Sequence, residues 1–173
     1  GISMITLKLP YPPSANRYWA TRVIPAKAGK AALAITYVTP DAKQYKETVG
    51  WLAKAAGAKR IEGRVAIVIE LYPHRPLDYQ KRMRQLGDTW DDTVQCIDLG
   101  NCEKVLSDAL KDVLFGDDKL LHDIHLKRME PDGEARVVVT ITPYVRIPNP
   151  QASLPLPIPQ PTKPIPDLAY SPF

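Results

Sequence analysis

The sequence predicts an α/β (α+β) fold, with two main helices packed on a small mixed sheet. Three observations carry that expectation. Segments 4–10, 64–73, 120–129 and 135–144 alternate apolar and polar residues, or run almost continuously apolar, as strands do. Segments 40–56 and 101–114 repeat apolar residues at spacings of three and four, as amphipathic helices do. The chain has 173 residues, 45% of them hydrophobic and 24% charged, enough to bury a core in one domain.

The elements follow in order. "MITLKLP", 4–10, is the first strand, and the three residues ahead of Met4 read as an expression remnant. "YPPSANRYW", 11–19, is a proline-rich loop. Residues 20–38 have no clear period, although "ALAITYV", 32–38, suits a strand. Thr39-Pro40 starts the first long helix with a hydroxyl cap and proline at the first helical position. Ala42, Tyr45, Val49, Leu52 and Ala56 form its apolar face, and Gly57 stops it. "RVAIVIELYP" is a strand, and 74–95 reads as a long, partly mobile loop. The helix over 101–114 buries Cys102, Val105, Leu106, Ala109, Leu110, Val113 and Leu114. The last two strands flank "EPDGE", 130–134, whose residues suit a hairpin turn.

A boundary is expected near residue 147. Residues 1–147 form the folded domain, and 148–173 carry nine prolines and read as an extended, polyproline-like tail. No apolar run reaches the roughly 18 residues that would span a membrane, and no signal peptide is visible, so a cytoplasmic protein is expected. Cys96 and Cys102 are too few for a zinc site and read as reduced thiols. The net charge of +4 permits nucleic-acid binding without requiring it.

Against that basic background, acids surround one helix. Asp98 precedes it, and Asp117 and Asp118 follow it. Two readings fit. Acids near helix ends serve as caps and solvated turn residues. Alternatively, they hold a hard divalent cation, which takes oxygen ligands and offsets their repulsion of a phosphodiester. A 14-residue helix is about 21 Å long, so Asp98 and Asp118 meet only if the following loop folds back along it.

The motifs "DLGNCEK" (98–104), "SDAL" (107–110), "DD" (117–118) and Asp123, with the opening "LPYPPSANRY" (9–18), resemble in order the RusA family of Holliday junction resolvases. That family carries D-x-D-N-x-x-K, then D-A-L, then D-D-x-x-x-x-D, after an L-P-x-P-P-S-x-N-x-Y start. The resemblance covers about residues 4–144. It implies a homodimeric nuclease, phage- or prophage-encoded in many cases, that uses Mg²⁺ (or Mn²⁺) to resolve four-way DNA junctions by paired, symmetric nicks. By position it makes Asp98 and Asp118 metal ligands, Lys104 the essential lysine and Asn101 the motif's asparagine. The family's second aspartate is Gly100 here, which leaves the shell one carboxylate short. Glu103 is the expected substitute, an acid from 88–92 is another, and a junction-binding protein with reduced or no cleavage is the third outcome. The DNA-binding surface is expected at Asn16, Arg17, Lys81, Arg82, Arg84 and Arg128. An ordinary solvated charged face is the competing reading, and Lys127 and Arg128, adjacent on a strand, point to opposite faces.

Overall fold

The computed structural model describes residues 4–150, 155 and 157–159. Its main sheet has four strands: β1 (Ile5–Pro10), β4 (Val65–Tyr72), β5 (Leu121–Arg128) and β6 (Arg136–Pro143). Their order is β1-β6-β4-β5. β6 pairs antiparallel with both β1 and β4, whereas β5 runs parallel to β4, so the sheet is mixed. Register Leu7↔Val139 and Ile69↔Val139 stacks side chains of three strands in one row. β4 alternates strictly between buried and half-buried residues, because only one face of the sheet is covered.

Helix α2 (Pro40–Ala55) and helix α4 (Leu99–Leu110) join the same core cluster as that buried face. α2 contributes Ala42, Tyr45, Val49 and Ala53. Thr39 caps it, its side chain accepting from the Ala42 amide, with proline at the first position as expected. The stop also matches: Gly57 takes φ +69°, and the Ala58 amide donates to the Ala53 carbonyl, which satisfies an otherwise orphaned acceptor. α4 buries Cys102, Val105, Leu106, Ala109 and Leu110.

α4 ends at Leu110, four residues before the expected end. Asp112 takes φ +66°, a left-handed conformation that aspartate tolerates, and breaks the helix. Leu114 and Phe115 stay fully buried beyond the break, so apolar spacing continued where the helix did not. The Asp112 amide donates to the Phe115 carbonyl and turns the chain back along α4 toward β5.

Two other expectations need correction. Segment 74–95 is structured: α3 (Tyr79–Leu86) is followed by a 3-10 helix (Gly87–Thr93). α3 buries nothing, and its only apolar stripe, Tyr79, Met83 and Leu86, is short and set among Gln, Lys and Arg. Its neighbour is clamped by side chains, with the buried Trp90 indole donating to Glu130 at 2.7 Å. Residues 130–134 are not a hairpin turn, because β4 lies between β5 and β6. The turn-forming residues serve a crossover instead, in which Asp132 and Arg136 pair at 2.7 Å.

Residues 19–38, unassigned except for the suggested strand, form a hairpin of β2 (Trp19–Ile24) and β3 (Leu33–Val38), separate from the main sheet. Most of the proline-rich tail lies outside the described residues. No helix among the described residues is long and apolar enough to cross a membrane.

Candidate nuclease site at the start of helix α4

Two clefts open along α4, one at its N-terminus and one at its middle. The first, about 830 Å³, is lined in part by Tyr11, Arg17, Arg82, Asp98 and Asn101. The second, about 620 Å³, is lined by Trp19, Glu103, Lys104, Ser107, Asp108, Asp118, Leu121 and Ile124. The turn at Asp112 brings Asp118, just ahead of β5, back alongside α4. The structure thus brings Glu103, Lys104 and Asp118 together and leaves Asp98 and Asn101 next door.

Asp98 is the N-cap of α4. One carboxylate oxygen accepts from the Asn101 amide at 2.8 Å, and the other accepts from the Asn101 side chain at 2.7 Å. The cap reading of this acid is therefore realised, and Asn101 fixes the rotamer. Upstream, the Tyr11 hydroxyl accepts from the Ile97 amide at 2.6 Å and ties the entry to α4 to the loop after β1. Burial pushes the Tyr11 phenol up to about 12.

In the second cleft, Glu103 and Asp118 have no hydrogen bond or ion pair among the described residues, so their oxygens are available to an outside ligand. The Lys104 ammonium has no carboxylate partner there either. It lies 5.0 Å from the centre of the Trp19 ring, a cation–π arrangement that leaves the charge unneutralised. Below them the fully buried Tyr18 donates its hydroxyl to Asp108. Burial first, and then the Asp108 carboxylate, hold that phenol above its ordinary value. Asp108 is thus a hydrogen-bond acceptor anchoring α1 (Ala15–Tyr18) to α4. Trp19 had no signal of its own in the sequence, whereas Tyr18 and Asp108 were visible only as motif letters.

The basic residues divide by what they already hold. Arg17 lines the first cleft, 4.0 Å from Asp41. Arg82 lines it too, but its guanidinium bonds Asp78 at 2.9 Å and both oxygens of Thr93. Arg128 donates to the carbonyls of Asp91 and Val94. Both therefore brace the 78–94 segment. Asn16, Lys81 and Arg84 are exposed and line neither cleft.

Among the described residues, no three His, Cys, Asp or Glu side chains gather closely enough to cage a metal. The expected trio of Asp98, Asp118 and Glu103 is not assembled in one place. Gly100 contributes no ligand atom. A side chain there would stand on the helix face of Glu103 and Lys104, three and four residues on. Its Cβ would also lie 3.4 Å from an Asp98 oxygen, an ordinary contact. Gly100 lines neither cleft, and glycine puts no side chain on that face of the helix. What remains, two unpaired carboxylates beside a free ammonium, still fits Mg²⁺, which takes one or two carboxylates and completes its shell with water and phosphate.

No curated protein matches the chain in a sequence comparison. The family model for endodeoxyribonuclease RusA matches residues 10–142, which include both clefts, the acidic segments and all of the main sheet but most of β1 and the last residue of β6. That match spans most of the chain, and the protein therefore belongs to the RusA family of endodeoxyribonucleases.

Proposed function

We propose that the protein is a metal-dependent endodeoxyribonuclease that resolves four-way DNA junctions by paired, symmetric nicks, acting as a homodimer. The observation that carries this reading is the second cleft, where Glu103, Asp118 and Lys104 converge without internal partners. Glu103 and Asp118 would hold Mg²⁺ or Mn²⁺, which supplies a polarised phosphoryl oxygen and a more acidic water. Lys104, held against Trp19, places a fixed positive charge where the phosphorane-like transition state gains negative charge. Asp98 and Asn101 set the start of α4 and so the direction in which Glu103 and Lys104 project. Arg17 and the exposed Lys81 and Arg84 attract the DNA backbone, and a twofold dimer matches a twofold junction.

Gly100 supports a second reading, in which the protein binds branched DNA selectively but cuts it slowly or not at all. One experiment separates the two. A synthetic four-way junction is incubated with wild type, Asp118→Asn and Glu103→Gln, in Mg²⁺ and in EDTA, while sedimentation gives the mass. Symmetric nicks that need metal and disappear in both variants support the resolvase. Junction binding without nicks in either condition supports the binding protein, and a monomer at every concentration refutes the paired-nick mechanism.

A further inference from the structure

The β2–β3 hairpin touches the core only at its base, where the paired Trp19 and Val38 pack against it. The six residues Thr21–Ile24, Leu33 and Ala34 nearest its turn all have counterparts across the ribbon, and all six are exposed. A two-stranded ribbon on its own is marginal in water, so this one suits a surface to lie against. It begins at Trp19, on the rim of the second cleft and stacked beneath Lys104. Six residues of strand carry it about 20 Å from that rim. Its tip is a tight turn in which the Lys30 amide donates to the Lys27 carbonyl at 2.8 Å, with Gly29 at φ +81°.

Charge identifies the partner. The chain has no acid before Asp41, so Arg22, Lys27 and Lys30 make the hairpin wholly cationic. None of the three side chains has an ion pair among the described residues. On one face Arg22 stands with Ile24, Leu33, Ile35 and Tyr37, because Arg22 opposes Ile35 and Ile24 opposes Leu33. Ile24, Leu33 and Tyr37 are 38%, 58% and 44% exposed. A two-stranded ribbon fits the major groove of a duplex, and apolar side chains beside cations suit a deformed groove. Two such arms from separate copies would repel each other.

We propose that this hairpin is a DNA arm. It lies in a groove of the duplex leading away from the site, with Arg22, Lys27 and Lys30 on backbone phosphates. The inference rests on the function proposed above and extends it to contacts about 20 Å from the reacting phosphate.

The test measures affinity of the full chain for a four-way junction with long arms, in EDTA, across a range of KCl concentrations. Each phosphate contact contributes about 0.9 to the slope of log K against log salt. The triple variant Arg22→Ala/Lys27→Ala/Lys30→Ala should therefore lower the slope by about 2 to 3. A charge-matched control, Lys43→Ala/Lys54→Ala/Lys59→Ala, should lower it far less, and Arg22→Lys/Lys27→Arg/Lys30→Arg should restore wild-type binding. Equal slopes for the triple variant and wild type, or equal losses in the arm and control variants, would overturn the arm. So would a change in sedimentation mass confined to the arm variant, which would make the hairpin a contact between copies. Junction cutting by wild type in Mg²⁺ is scored separately. A wild type that cuts while the arm variant binds normally refutes the arm alone, and one that neither binds nor cuts refutes the function with it.

Discussion

Restoring a carboxylate at position 100 tests how the two clefts are joined. In Gly100→Asp the new side chain projects from the second position of α4, on the face of Glu103 and Lys104 and beside Asp98. Replacing glycine within a helix gains about 0.3 kcal/mol in propensity, and an acid in the first turn gains about 0.3 to 1 kcal/mol from the helix dipole. Opposing this, two carboxylates about 4 Å apart repel by about 1 kcal/mol in water, and by more where water is excluded. Both positions are exposed, so the water value governs. The variant without metal should stay within about 1 kcal/mol of wild type, with a deficit that shrinks as salt rises. With metal, the outcome reverses. If the added carboxylate tightens the site tenfold, saturating Mn²⁺ stabilises the variant by about 1.4 kcal/mol more than wild type. In a domain of this size that is an extra rise in Tm of about 3–6 °C. Differential scanning fluorimetry in EDTA and across a Mn²⁺ titration reads this directly, with junction cutting followed in parallel. An identical metal response in the two proteins would refute the idea that position 100 lies between the metal-binding carboxylates.

Other outcomes follow from particular contacts. Trp19→Ala removes the ring beneath Lys104, a contact of about 0.5 to 1 kcal/mol at an exposed site; junction cutting should fall by about two- to fivefold, with Trp19→Phe closer to wild type. Tyr18→Phe leaves Asp108 without its donor and should lower stability by about 1 to 2 kcal/mol in urea denaturation; an unchanged midpoint would refute that bond. Arg82→Ala frees Thr93 and should expose 78–94 to limited proteolysis sooner than Lys81→Ala, whose side chain is exposed. Burial raises the Cys102 thiol to about 12 and also raises the Tyr45 phenol. Both folded values lie above the unfolded ones, so their contribution is complete below pH 9 and is lost as pH rises from 9 toward 12. Urea midpoints should fall across that window, and Cys102→Ala should flatten its lower part.

What was legible in the sequence had local causes. α2 declared its start through Thr39-Pro40 and its end through Gly57, because caps act within a few residues. β4 declared itself by an almost continuous run of β-branched and apolar residues, V-A-I-V-I-E-L-Y. α3 did not, since its helical stripe is only Tyr79, Met83 and Leu86, two turns long and buried nowhere. β2 was hidden for a similar reason: a ribbon wet on both faces needs no alternation. The end of α4 misled because Leu114 and Phe115 are buried by a turn rather than by helix. The acids of the site were visible as residue types, but their division between two clefts depends on the left-handed Asp112, which apolar spacing does not reveal. The charges of Arg82 and Arg128 were visible in the sequence, but not the Thr93, Asp91 and Val94 oxygens that they also bind.

The position of β6 has a consequence for how the molecule is made. It is the last strand among the described residues, yet it sits between β1 and β4, pairing Ile5 with Ile141 across most of the chain. Until residues 136–143 arrive, β1 and β4 each present an open edge rich in Leu, Ile and Val, a template for other chains. Assembly of the sheet is therefore non-local and slow relative to its helices. A chain that stops before Arg136 would not be a weakened nuclease. It would be two unfinished edges in search of a partner, and aggregation is its expected fate.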